Sequence, residues 1–408
     1  MRRVVVSGLG AITPIGNNAG EAWESMKKGV CGIGRITRFD TTDYKTKVDA
    51  EVKGFDPSLY MDRQDIHRAD LFTQYGVAAA SQAVEDSGIC GKVERERFGV
   101  YFGSGIGGIL TYSEEQNKLI SRGNRRVSPF LIPMMIANMA AAMIAIKHGC
   151  EGAVQPSVTA CASSASAIGE AVRAIRHGYA DAVISGGAEA SICEIAVAGF
   201  SNMQALSSAE DPNAASLPFD RRHGGFVMGE GAAALLLEEY EHAKARGARI
   251  YGEVAGYGVS CDAYHITSPR PDAAGASRAM REAMEEAGYQ EGELVYLNAH
   301  GTGTPMNDKL ETLAVKKTFG ERAQEVLISS TKSMTGHMLG AAGAVEAIAG
   351  LYAMNEGILP PTIHLLEQDP ECDLHYIPNT AIQASPSLVL SNSLGFGGHN
   401  VCLAFRRA

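Results

Sequence analysis

Pro156–Ala171 reads PSVTACASSASAIGEA: a strand end, a turn, one cysteine, and an Ala-rich helix that starts at that cysteine. A strand feeding a helix through a small-residue turn is the repeating unit of an α/β sheet, and such turns are where these folds carry chemistry. Cys161 sits over the first free N–H groups of the helix, whose partial positive charge favours thiolate, the reactive form. A free cysteine is more often a small buried hydrophobe, so this candidate nucleophile needs partners.

Two further segments supply them. Leu297–Asp308, LNAHGTGTPMND, delivers His300 from an apolar strand into a Gly/Thr turn. Ser329–Glu346, SSTKSMTGHMLGAAGAVE, places Lys332 and His337 before another small-residue helix. Strand-length apolar runs alternate with helical patterns elsewhere: VVVSG before a helix over 21–28, FGVYFG after a helix over 73–87, and DAVISGG after a helix over 162–178. This is α/β patterning with largely buried strands. FGVYFGSGIGG at 98–108 is echoed by LVYLNAHGTG at 294–303, and the helix after Cys161 by the helix after His337. Two related halves meeting near residue 250 would bring Cys161 beside His300 and His337. The opening SGLGAI is not a dinucleotide fingerprint: the third glycine is missing, Thr13-Pro14 interrupts the helix, and no acidic residue closes the next strand.

Composition narrows the class. The chain has 408 residues, 45% hydrophobic and 20% charged, with 46 glycines, which suits a closely packed globular enzyme and excludes disorder. Eight cysteines with no CxxC pair argue against a zinc site or disulfide framework and for a reducing, cytoplasmic setting. MRRVVVSGLG reads as a first strand, not a signal peptide. The apolar stretch 130–146, broken by Pro133 and Asn138, is too short to span a bilayer and predicts a buried Met-rich helix. A net charge of −10 disfavours nucleic acid. Two small basic groups, Arg63-His67-Arg68 and Arg122-Arg125-Arg126, read by themselves as solvated surface.

The ordered motifs VVVSGLGAITPIG, RFDTTDY, GSGIGG, TACASSASAIGEA, PFDRRHGGFVMGEGA, NAHGTGTPMND, STKSMTGHMLGAAGAVE and NSLGFGGHN run nearly end to end. They resemble the β-ketoacyl-[acyl carrier protein] synthases of the long-chain type II class. That resemblance implies a thiolase-like fold, a duplicated αβαβα five-layer architecture, with an N-terminal half over 1–250 carrying the cysteine and a C-terminal half over 251–408 carrying both histidines. It implies fatty-acid elongation by decarboxylating Claisen condensation of acyl- and malonyl-[acyl carrier protein] through an acyl-cysteine.

The chemistry matches those residues. A cysteine thioester holds the acyl group while freeing its carrier, and two neutral imidazoles can donate N–H to the oxygen of an enolate formed as carbon dioxide leaves. By resemblance, Cys161 is the acyl acceptor and His300 and His337 hold the enolate oxygen. Lys332 and Glu346 form a buried charge network, and Asp308 and Glu311 either join it or cap the next helix. The N–H groups of Cys161 and Phe396 form the oxyanion hole, with Phe396 also a gate in Gly395-Phe396-Gly397-Gly398. Thr302, Thr304 and Ser268 hold the phosphopantetheine arm, which is part of the substrate, and no cofactor is required. Ile106, Phe200 and Phe396 match acyl-pocket positions, and Arg63, His67, Arg68, Arg125 and Arg126 face acyl carrier protein. The Met-rich stretch 134–143 matches a homodimer interface, and a monovalent cation near Asn298, Glu346 and Asn392 is left open. Gln204 and Leu394 depart from the family pattern, which expects a basic residue and a phenylalanine. A polyketide ketosynthase, a noncatalytic chain-length or carrier-binding partner, and a cysteine hydrolase are the competing readings.

Overall fold

Ten segments, most of them apolar, become strands of one hydrogen-bonded sheet in the computed structural model, which describes residues 2–408. They are β1 (Val4–Ile12), β2 (Phe98–Gly103), β3 (Val154–Ser157), β4 (Ala182–Glu189), β5 (Gly231–Glu239), β6 (Gly252–Cys261), β7 (Val295–Asn298), β8 (Leu327–Ser329), β9 (Leu388–Gly395) and β10 (His399–Arg406). The order across the sheet is β8-β7-β9-β10-β6-β1-β5-β4-β2-β3. β1–β5 lie in the order 3-2-4-5-1 from the edge inward, and β6–β10 repeat that order. Directions repeat too, parallel for the outer two pairings and antiparallel for the inner two. Within the sheet the halves pair through Val5–Glu253 and Val6–Gly252.

Helices cover both faces of each half. On the outside, α1 (Leu71–Ser87) packs on β1, β5 and β4. Three shorter helices follow: α2 (Ile109–Arg122), α3 (Leu131–Met135) and α4 (Met139–His148). Between the halves lie α5 (Ser163–Arg176) and α9 (Ala342–Glu356), which pack on each other and on β4 and β9 respectively; α6 (Glu194–Asn202) lies beside the cavity described below, and α7 (Ala274–Glu286) with α8 (Pro305–Phe319) closes the far side. The layers are thus α, β, α, β, α.

Local chemistry sets these elements. Asp70 caps α1 by accepting from Phe72 N at 3.2 Å, so the helix begins two residues before the periodicity alone suggests. Gly88, at φ +60°, ends it. The SGLG glycines serve this packing: a Cβ on Gly8 or Gly10 would lie 2.1 or 2.0 Å from carbonyl oxygens of α1. The stretch 130–146 departs from expectation. It is two helices, α3 and α4, separated at Ile136–Asn138, and its outward side chains are not buried, Ile132 being 58% and Ile146 80% exposed. The break falls at Ile136–Asn138, where Ile136 is extended and Asn138 stands at the N-cap of α4; Pro133 sits inside the first turn of α3.

Candidate active site

Four chain reversals converge at one end of the sheet. β3 leads to Cys161 and α5, β7 to His300 and α8, β8 to His337 and α9, and β9 to Phe396 in the hairpin with β10. β7, β8 and β9 are parallel, so their C-terminal ends open on the same side, the usual position of a site on such a sheet. Cys161, Phe200, His300, His337 and Phe396 line a single cavity together with Thr302, Thr304 and Ser268.

The two imidazoles meet edge to face, ring centroids 5.2 Å apart at 86°. His337 also packs against Phe226 at 5.2 Å, and Phe200 lies between Phe226 (5.5 Å) and Phe396 (6.5 Å). Burial first, and then the Lys332 ammonium nearby, hold His300 and His337 well below the ordinary histidine range. Both are neutral near pH 7, each with one N–H to give. His300 Nδ1 and His337 Nδ1 have no hydrogen-bond partner among the described residues.

Cys161 lies in a single 3₁₀ turn, Ala160–Ala162, immediately ahead of α5. Burial acts against the expected lowering by the helix terminus. Although the residue faces the cavity, it lies deep in the protein, and desolvation pushes its thiol up to about 12. Lys332 and the N–H groups of Phe396 and of Cys161 itself pull it down, and Glu189 pushes it further up. Burial thus favours the thiol as the resting form of the nucleophile. Those two N–H groups face the sulfur, where a tetrahedral oxyanion would form.

Lys332 and Glu346, 1% and 2% exposed, form a direct ion pair through Glu346 Oε1. Burial pushes the Glu346 carboxyl up and the ammonium holds it down. Glu311 is elsewhere: its carboxylate accepts His300 N and Gly301 N, both at 2.8 Å, and Asn392 Nδ2 at 3.1 Å. It fixes the backbone of the histidine. Asp308 neither joins the lysine network nor makes a side-chain cap. It accepts Phe219 N at 2.9 Å, Gly303 N at 3.2 Å and His223 Nδ1 at 3.0 Å, while His223 Nε2 reaches Asp369 at 3.1 Å. Burial pulls His223 down, but Asp308 and Asp369 outweigh it and raise it.

Comparison with known proteins decides what this assembly is. Residues 1–243 match the family described as beta-ketoacyl synthase, N-terminal domain, and residues 251–366 match its C-terminal domain. The chain belongs to the β-ketoacyl synthase family. It is 49% identical to 3-oxoacyl-[acyl-carrier-protein] synthase 2 of Synechocystis over 408 residues, 100% of this chain and 98% of the relative. A solved β-ketoacyl synthase from Burkholderia phymatum superposes with a TM-score of 0.93 at 36% identity, each chain covered completely. A type II polyketide ketosynthase, solved bound to a hexaketide with its acyl-carrier protein, superposes at 0.90 with 32% identity, again over 100% of both chains. The thiolase-like fold read from the sequence is this family's fold.

The other expected residues of this synthase fall as follows. Thr302 and Thr304 join their hydroxyls at 3.0 Å on the cavity wall. Exposed Gln204, with φ +58°, stands at the cavity mouth, and half-buried Leu394 lines it. Ile106 does not line the cavity and is 36% exposed. Arg63, His67, Arg68, Arg122, Arg125 and Arg126 are exposed and form no ion pair among the described residues. Arg68 lies 4.9 Å over the Phe130 ring, four residues along the chain from Arg126. Sequence reasoning missed Glu189, Asp262, Leu339 and Asn400. The last three line the cavity, and Glu189 backs it as a fully buried carboxylate. A charged residue ending the small, apolar run DAVISGGAE was the available signal for Glu189.

Proposed function

We propose that this synthase elongates fatty acids by decarboxylating Claisen condensation of acyl-[acyl carrier protein] with malonyl-[acyl carrier protein]. The observation that carries it is the convergence of Cys161 with two neutral histidines in one cavity. In the first half-reaction the Cys161 sulfur attacks the acyl thioester carbonyl. The oxyanion takes N–H from Cys161 and Phe396, the carbon–sulfur bond to pantetheine breaks, and the thiol proton leaves on that sulfur. In the second, the malonyl thioester oxygen accepts N–H from His300 and His337, the bond to the carboxylate breaks, and carbon dioxide departs. The resulting enolate carbon attacks acyl-Cys161, the carbon–sulfur bond to the cysteine breaks, and its thiolate takes a proton from water. Removing one donor of this kind costs ~2.7–4 kcal/mol in the transition state.

Thr302, Thr304 and Ser268 on the cavity wall guide the pantetheine arm, and Phe200 with Phe396 borders the acyl chain. The unpaired arginines around Arg68 and Phe130 receive the acidic carrier. A second copy of the chain covers the apolar surface of Ile132, Ile136, Ile146 and Val158 beside edge strand β3, making a homodimer. Residues 1–250 and 251–408 act as the two domains, supported by the repeated strand order. No helix among the described residues is long and apolar enough to cross a membrane, and reduced cysteines suit the cytoplasm. Asn298 Oδ1, Asn392 Oδ1 and Glu346 Oε2 are buried with no partner among the described residues. Two amide oxygens and a carboxylate oxygen fit a hard monovalent cation, which would brace the histidine-bearing strands. No redox cofactor enters the reaction.

The fatty-acid reading is favoured over a polyketide one by 49% end-to-end identity to a 3-oxoacyl synthase against 32% to the polyketide ketosynthase. Mass spectrometry tests it: wild type and Cys161→Ala are incubated with acyl carrier thioesters of several lengths, then with malonyl carrier. An adduct on Cys161 that converts to β-ketoacyl carrier with carbon dioxide is expected. No adduct, or its release as free acid, would point to a binding partner or hydrolase.

A further inference from the structure

Repetition of the fold gives every catalytic turn a counterpart. Asn298 and Gly103 end equivalent strands β7 and β2, so His300 and Gly301 correspond to Gly105 and Ile106. The 3₁₀ turns Ala160–Ala162 and Leu339–Ala341 each lead directly into a central helix, and each opens on a non-glycine residue with positive φ, Ala160 at +50° and Leu339 at +44°. Cys161 therefore corresponds to Gly340. The counterpart of the Cys161–His300 pair is Gly340 with Gly105, and the carboxylate of Glu189 lies between them.

Glu189 is 0% exposed. Its Oε2 accepts Gly105 N at 2.8 Å and Gly340 N at 3.0 Å. Its Oε1 accepts Ile106 N at 3.2 Å, Ser191 Oγ at 3.1 Å and Ser104 Oγ at 3.3 Å. Burial pushes the Glu189 carboxyl up, and the N–H groups of Gly340, Gly105 and Ile106 pull it down; these three amides cannot accept, so they favour the ionised form. The packing leaves no slack. A Cβ on Gly105 would meet Glu189 Oε2 at 2.8 Å and Ala160 O at 3.3 Å, and one on Gly340 would meet Gly105 N at 2.3 Å. The carboxylate thus ties the 104–106 turn and the end of β4 to Gly340, three residues beyond His337, with the peptide preceding Cys161 packed against the same spot.

We propose that Glu189 is a positioning residue for the condensation: it fixes the turn that bears His337 against the turn that bears Cys161, as a built-in anion in the duplicated counterpart of the active site. This rests on the condensation reading above. Its fixed negative charge also opposes ionisation of Cys161, so the thiol stays neutral until an acyl thioester brings its carbonyl to the oxyanion hole.

Glu189→Gln removes the charge at constant size, and Glu189→Asp keeps the charge but withdraws it by one methylene. The pH dependence of iodoacetamide alkylation at Cys161, read by peptide mass spectrometry on the full chain, is compared with kcat, KM and Tm. In E189Q the alkylation midpoint is expected to fall by about one pH unit, with kcat for condensation reduced at least ~10-fold and KM little changed. E189D is expected to keep the wild-type midpoint and still lose kcat. Wild-type midpoints and kcat in both variants, whatever happens to Tm, would overturn the proposal. Should neither variant fold, amide exchange in the unmodified protein decides. The N–H groups of Gly105, Ile106 and Gly340 must all be strongly protected, and fast exchange at any one would overturn the clamp. Alkylation and exchange need no substrate, so they test Glu189 even if the wild type proves not to condense.

Discussion

Lys332→Met removes the only charge paired with Glu346, and the outcome follows from burial. Both side chains are essentially inaccessible, and Glu346 Oε2 has no other partner among the described residues. A carboxylate cannot stay ionised there alone, so the folded variant takes up a proton. Protonating a glutamate of ordinary pKa about 4.3 costs about 3.7 kcal/mol at pH 7 and only about 1 kcal/mol at pH 5. The sign is fixed by linkage. The Glu346 carboxyl in the folded variant is raised above its unfolded value, so the folded form gains relative stability as pH falls and loses it as pH rises. The destabilisation of K332M relative to wild type should therefore grow by up to about 1.4 kcal/mol per pH unit between pH 5 and 7. K332M/E346M, with an apolar pair of similar volume, should recover most of the loss and lose the slope. Urea denaturation followed by circular dichroism at pH 5, 6 and 7 measures this. A K332M penalty that is the same at pH 5 and pH 7, or a double variant no more stable than the single, would refute the reasoning.

Other outcomes follow from the same geometry. His300→Ala and His337→Ala should each lower the condensation rate by ~100- to 1,000-fold yet still load acyl groups onto Cys161, which separate acylation and malonyl-consumption assays distinguish. Because burial and Lys332 hold both imidazoles far below the ordinary range, condensation should not titrate away as pH falls from 7.5 to 6. A decline with a midpoint near 6.5 in the pH–rate profile would show that a histidine is exposed to solvent. Asp181, drawn down to about 2 by the Arg97 fork and by Arg2, stabilises the fold above its unfolded pKa, and that contribution is lost as pH falls toward 2. Asp181→Asn should cost about 1 kcal/mol at pH 7, a modest figure for a partly solvated pair, and nothing in melts near pH 2.

Much of this molecule was readable because its turns carry their chemistry in short, contiguous words. Cys161, His300 and Phe396 stand just beyond strand ends flanked by glycine or alanine, His337 follows a strand and one short helical turn, and strand–turn–helix order alone places such residues on one edge of a sheet. What sequence could not supply were the balances struck by burial. A helix terminus beneath Cys161 is visible in the string of letters, but the burial of its thiol, and the Lys332 and Glu189 charges and Phe396 N–H that act on it, are set by other turns of the fold. The Phe130–Ile146 stretch failed for the related reason that apolar composition does not say which face has a neighbour. Asp308 and Glu311 illustrate a third limit. Three residues apart on α8, they were read together as joining the Lys332 network or capping the helix, yet Glu311 turns to His300 and Asn392 while Asp308 turns to His223 and Phe219.

Duplication explains why these carboxylates matter. An α/β unit ends each strand in a turn with free N–H groups, and two such units packed through α5 and α9 bury several of them together. Each half must satisfy them with an acceptor. In the second half Glu311 accepts from His300 and Gly301, and in the first Glu189 accepts from Gly105 and Ile106 at the equivalent positions. The N–H of Gly340 is closed by Glu189, whereas that of its counterpart Cys161 faces the sulfur and, with Phe396, remains able to receive an oxyanion. Chemistry is thus confined to one of two similar sites by where a carboxylate already occupies the amides. Introducing an acidic residue near Phe396 should suppress acylation for the same reason that Glu189 makes Gly340's turn inert.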